Sequence, residues 1–247
     1  MQVRWCFLLF FFVFGLRQMM HVLVYVCLSP ECLQRFIYIA IQIVCLGVVL
    51  QLIKHENSDF KDHGFWWPEN LGKYMSVSVL LALVHVFITV FLPGNLVGFE
   101  LLPPVPQVSL EFIEILLASL ASESVFRGYI QRNLTRAYGF LPALSVSSLM
   151  FSLYGLQFPL LPGFDLTFLF TNILSFFIAG IFLGFFFQKT RTLICPVTFY
   201  GALLLLYRFT LVKAVTTEYV TLFFDVFAYV SLILLVYVLS RKKFLES

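Results

Sequence analysis

Glu123 and Arg127 stand four residues apart in "ASESVFRGYIQRNL", Ala121 to Leu134, inside an otherwise apolar stretch. On a helix that spacing puts acid and base one turn apart, with the acid N-terminal, the better order for such a pair. In water the pair would give about 0.2–0.5 kcal/mol. Near lipid an unpaired charge costs several kcal/mol, so pairing becomes close to obligatory. Ionisable residues in such a setting are functional candidates by default. The carboxylate could serve as a base that takes a proton from water, provided donors are aimed at the negative charge that develops. The bland alternative is a salt link that clamps helix ends together.

Few other residues could join that chemistry. Ser122 and Ser124 flank the acid and could form a serine-based site with Tyr154 or Tyr200, but no Lys or His is placed to activate either hydroxyl. His21 and His85 are the histidines inside apolar stretches. A lone histidine in such a place more often bonds a backbone carbonyl, and His85 is expected toward the other end of its helix from Glu123. Glu111 and Glu114 precede the pair on the same helix, near its N-terminus, where the helix dipole favours acids. Asn172, Gln157 and Asp225 are isolated polar residues with no evident shared face. Of the five cysteines, Cys6, Cys45 and Cys195 sit in apolar runs and read as small buried hydrophobes. Cys27 and Cys32 flank "LSPE", where a disulfide could form. No Cys/His cluster has zinc-site spacing, and neither metal nor cofactor is expected.

The elements that hold these residues follow from composition. Of 247 residues, 61% are hydrophobic and 12% charged, with 31 phenylalanines and a net charge of +3. Soluble domains average nearer 45–50% apolar and about 25% charged. So much apolar surface requires lipid as the solvent. The basic residues are dispersed, which excludes the basic stripe of a nucleic-acid binder. A crossing helix needs about 20 apolar residues, and eight stretches qualify: roughly 6–27, 36–53, 74–92, 109–130, 141–160, 167–188, 193–212 and 219–240. The start, "MQVRWCFLLFFFVFG", has the basic and apolar regions of a signal peptide, but no A-x-A-like site follows, so a retained helix is expected. The expectation is an all-α polytopic transmembrane bundle, with residues 1–247 forming one integral membrane domain.

Basic residues collect in alternate connections: Arg4; Lys54, Lys61 and Lys73; Arg127, Arg132 and Arg136; Lys189 and Arg191; Arg241, Lys242 and Lys243. The other connections hold Arg35 and Lys213. The positive-inside rule then places both termini in the cytoplasm. "HGFWWPEN" in the polar loop 54–73 reads as an anchor at the headgroup level. Small residues, "SVSSLMFS" from Ser145 to Ser152 and the pair Gly180 and Gly184, predict close helix packing.

Over roughly residues 55–240 the chain resembles the CAAX-protease and bacteriocin-processing (Abi) intramembrane family. That family's first motif is E-E-x-x-F-R-G, and here "SESVFRG" runs from Ser122 to Gly128. Its second, F-x-x-x-H, is matched by "FSLYG" from Phe151 to Gly155. Its third, H-x-x-x-N or D after a Gly-rich helix, falls in "AGIFLGFFFQKTRTLICPVTFYGALL", at Tyr200 and Leu204. The resemblance implies about eight spans and a site in which the first Glu activates water, the histidines position it and the Asn helps hold the oxyanion. Here those places carry Ser122, Gly155, Tyr200 and Leu204. Glycine offers no side chain, leucine no hydrogen bond, and tyrosine, with a reference pKa of about 10, is a poor base near neutral pH. Glu123, Arg127 and Gly128 survive, with Arg127 expected to hold Glu123 and spare carbonyls of a neighbouring helix.

The resulting expectation is a family-like membrane protein with degenerate motifs. It would be a scaffold, an accessory subunit or a binder of a hydrophobic segment, partnered by the bilayer and by another membrane protein or peptide, in a bacterial or archaeal plasma membrane. One rival is an active intramembrane endopeptidase with a rearranged site built on Glu123, which requires a histidine or metal-competent partner beside that carboxylate. The other is a small transporter or channel subunit, which requires a continuous polar path.

Overall fold

The computed structural model describes residues 2–27, 31–93, 96–99, 105–156, 166–212 and 218–241. Its helices are α1 (Gln2–Cys27), α2 (Glu31–His55), α3 (Leu71–Val86), α4 (Val105–Glu123), α5 (Arg132–Tyr138), α6 (Phe140–Gly155), α7 (Leu166–Thr190), α8 (Ile194–Phe209) and α9 (Glu218–Arg241). Two π-helical segments interrupt the α pattern. Phe87–Phe91 extends α3, and Ser124–Gln131 fuses α4 to α5, so that one continuous rod carries the acid–base pair. With no water in hydrocarbon, backbone polar groups must be satisfied within the segment, which is why apolar sequence of this length is helical.

The molecule is a helical membrane bundle. Helices α1, α2, α7, α9 and α3 with its π extension are long and apolar enough to cross a bilayer, while α6 and α8 are shorter apolar helices. Each of the eight apolar stretches contains a helical rod, although that of 193–212 stops at Phe209 and continues as extended backbone. Helix α6 ends at Gly155, before the expected limit of 160, and residues 157–165, which include Gln157, lie outside the described residues. One addition was not expected from an all-α reading: β1 (Leu96–Phe99) and β2 (Thr210–Val212) pair antiparallel, with Leu96 opposite Val212 and an irregularity between Leu96 and Gly98. Outside the helices the backbone must find partners elsewhere, and this short ribbon supplies them.

Helix α6 packs on α7, α3 on α8, α7 on α9 and α2 on α4. Lipid tails are as apolar as leucine, so these contacts rest on close fit rather than on exclusion from water. A Cβ added to Gly180 would lie 2.9 Å from the Ser148 backbone, and one on Gly184 would lie 2.5 Å from both Gln131 and Leu144. The small residues of α6 and α7 thus serve packing inside the bundle. Phe11, Leu141, Phe170 and Phe223, each more than half exposed, face outward as lipid-facing side chains. Cys6, Cys45 and Cys195 are free and buried. The side chains of Cys27 and Cys32, like that of His21, lie outside the described ones.

Candidate functional site: a buried acid and base between four helices

Glu123 closes α4 and Arg127 lies in the following π-helical segment; both are fully buried. Arg127 Nε sits 3.3 Å from Glu123 Oε2, an ion pair whose geometry is not that of a hydrogen bond. Arg127, counted by its sequence with the basic residues of one connection, is the largest of the fully buried side chains among the described residues. The expected contact with spare carbonyls is corrected. None of its guanidinium nitrogens is hydrogen-bonded among the described residues, and the group instead covers the ring of Phe151, 4.7 Å from its centroid. The negative face of an aromatic ring is a partner that a desolvated cation can use.

The motif positions converge only partly. Phe151 of α6 stands edge-on to Phe126, at 5.4 Å, and to Tyr200 of α8, at 5.9 Å. Tyr200 is thereby brought into the ring cluster that holds Arg127. Ser122 Oγ donates to Ser119 O at 3.1 Å and Ser124 Oγ to Leu120 O at 2.6 Å, so both hydroxyls are turned onto their own helix. The space where Gly155 lacks a side chain is filled by Phe176, whose ring would meet an added Cβ at 3.0 Å. Leu204 is part-buried farther along α8.

Residues outside the motif complete the surroundings. Arg17 of α1 lies over the Tyr154 ring at 4.4 Å, and its neighbour Gln18 donates to Leu156 O at 2.9 Å, so α1 is docked against the end of α6. The charge at Arg17 interrupts an apolar helix because an aromatic partner on α6 receives it, which its own helix gives no hint of.

His63 is the histidine nearest the motif along the fold. Its Nδ1 is 2.8 Å from Gly128 O and its Nε2 is 3.0 Å from Ser58 Oγ. Since a carbonyl can only accept, Nδ1 carries the proton, and Nε2 of the neutral ring accepts from Ser58. Burial dominates its titration and pulls its pKa below the usual value, against the Gly128 carbonyl, which favours the charged form. Gly128 is required here, because a Cβ would meet His63 O at 3.1 Å. The sequence around Gly128 gives no means of finding this partner, 65 residues away.

The remaining polar residues form separate clusters. His85 is buried against Tyr229, 4.4 Å between ring centroids, with Nδ1 3.4 Å from the Tyr207 hydroxyl, so its partner is a side chain rather than the expected backbone carbonyl. Asp225 accepts from Ser175 at 2.7 Å and is therefore not isolated. Glu111 is held by Arg35 at 2.6 Å and Arg208 at 3.0 Å, and Glu114 by Arg35 at 3.5 Å. Ion pairs joining α2, α4 and α8 account for these acids more directly than the helix dipole.

A polytopic helical bundle with a buried Glu–Arg pair followed by glycine, set against a Phe of the next helix, defines a class of integral membrane protein. Residues 104–206, the segment from α4 into α8 with every motif position, match the family model described as type II CAAX prenyl endopeptidase Rce1-like. No curated protein matches the chain. The family match supports membership of the CAAX-protease family, and the chain is a CAAX-protease-like integral membrane protein.

Proposed function

We propose that this chain keeps the family's architecture without its catalytic set. It acts as a membrane scaffold or accessory subunit, or as a binder of a hydrophobic segment at the former substrate site. Eight spans with both termini cytoplasmic, in a bacterial or archaeal plasma membrane, belong to the same reading, on the distribution of basic residues and the family resemblance. The single observation that supports it is the setting of Glu123. Among the described residues its partner is Arg127, whose guanidinium is itself spread over Phe151, while Ser122 and Ser124 are turned onto backbone carbonyls. General-base hydrolysis needs a second group to position the water, and among the described residues no imidazole is hydrogen-bonded to Glu123.

The test is proteolysis by the purified full chain in nanodiscs, given a prenylated peptide and a transmembrane peptide. The expected outcome is no cleavage above that of empty discs, with retention of a hydrophobic segment in pull-down. Cleavage that disappears in Glu123→Ala would overturn the reading in favour of a peptidase with a rearranged site.

A further inference from the structure

Three arginines gather around the loop that follows α2. Arg136 of α5 pairs with Asp62 at 2.8 Å and reaches Ser58 Oγ at 3.4 Å. Arg132 lies one turn earlier on the same helix. Arg191, at φ +58°, forms the turn between α7 and α8, and its carbonyl accepts from Trp66 Nε1 at 2.8 Å. The loop is stitched to that turn twice more, by Thr192 Oγ1 to Trp66 O at 3.2 Å and by Leu193 N to Gly64 O at 3.0 Å. Two elements distant in sequence therefore present their basic groups at fixed positions beside one loop.

Acids of the same loop are engaged elsewhere: Glu56 accepts from the Tyr129 hydroxyl and Asp59 from the Lys61 amide. Asp62 serves Arg136, while Arg132 and Arg191 have no side-chain hydrogen bond or ion pair among the described residues, and Arg132 Nε is buried. Partial burial first, then the positive charges of Arg136 and Arg191, hold the Arg132 guanidinium below its usual pKa range, with Asp62 opposing them. Two guanidinium groups without an acid partner, on elements tied to one loop, leave room for a negative ligand. Trp67, 77% exposed, stands in the same loop, and tryptophans concentrate at the level of lipid headgroups.

We propose that Arg132, Arg136 and Arg191 form a binding site for the phosphodiester headgroup of an anionic phospholipid, with Trp66 and Trp67 setting its depth in the membrane. Arginine forks suit phosphate oxygens, and the uncompensated pair supplies charge that a zwitterionic headgroup would not repay. The proposal is independent of whether Glu123 has catalytic use.

The probe is phosphatidylglycerol added to the full chain in non-ionic detergent, with phosphatidylcholine and inorganic phosphate alongside, read as one-to-one adducts by native mass spectrometry. Phosphatidylglycerol is expected to bind about tenfold or more tighter than phosphatidylcholine, and Arg132→Gln with Arg191→Gln to weaken it about thirtyfold, near fivefold for each basic residue squared. Arg208→Gln, whose partner Glu111 stands near the far end of α4 from this loop, is expected to bind as the parent does. Equal retention of the two lipids, unchanged binding in the double variant, or displacement by inorganic phosphate as effective as by lipid would each overturn the assignment. An unshifted melting temperature of the double variant without lipid shows that any loss is not misfolding.

Discussion

Arg127 lays its guanidinium over the ring of Phe151 at 4.7 Å, and so this sealed cation is met by an acid on its own helical rod and by an aromatic face on the next helix. Removing one partner of a buried pair leaves the other charge without compensation, which typically costs about 3–5 kcal/mol, whereas replacing both by apolar groups is often neutral. Arg127→Met is therefore expected to lower thermal stability in detergent far more than Glu123→Leu combined with Arg127→Met. A double variant as unstable as the single one would mean that the pair does more than neutralise itself.

The helical glycines divide by what surrounds them. Gly180→Ala would press a methyl on the Ser148 backbone, which has no flexible end to move, and overpacking of this kind costs about 1–3 kcal/mol. Gly47, within α2, has nothing within 4 Å of an added Cβ, so Gly47→Ala is expected to gain about 0.5–1 kcal/mol from reduced backbone freedom. Melting temperatures of the two variants should move in opposite directions.

His63 predicts a dependence on pH. Its folded pKa lies below the usual 6.5, so the unfolded chain takes up the proton first, and stability present above that value is lost as pH falls below it toward the folded pKa. The melting temperature should be level near pH 7.5 and decline between pH 6.5 and 5. His63→Gln should flatten that decline; if the slope persists, another group is responsible.

Glu111 is shared by two arginines, and a charged hydrogen bond contributes about 1.5–3 kcal/mol. Arg35→Ala, which strips partners from both Glu111 and Glu114, is expected to destabilise the bundle more than Arg208→Ala, which strips one. Chemical denaturation of the three single variants, with Glu111→Ala as the third, should rank Arg208→Ala as the mildest.

What could be read from the chain is what rests on composition and local spacing. The apolar stretches, the Glu123–Arg127 couple, the burial of Cys6 and Cys195 and the packing use of Gly180 and Gly184 all depend on residues within a few positions of one another. What could not be read depends on distance in sequence. His63 reaches Gly128 across 65 residues, and Arg208 reaches Glu111 across 97. Neither approach leaves a local mark. The π-helical segments are silent for another reason: the wider turn uses the same apolar residues as an α-helix, so no periodicity announces it. The full burial of Arg127 is silent in the same way, since it depends on neighbouring helices.

The segment Ser124–Gln131 stores winding that an α-helix would not hold. A slip of its register by one residue would turn every side chain after it by about 100°. Asn133 would swing from Glu56 and Arg136 from Asp62, and the loop they fasten would come loose from the rod. An eight-residue stretch thus indexes one half of the protein against the other, and a single deletion there should do more damage than most substitutions.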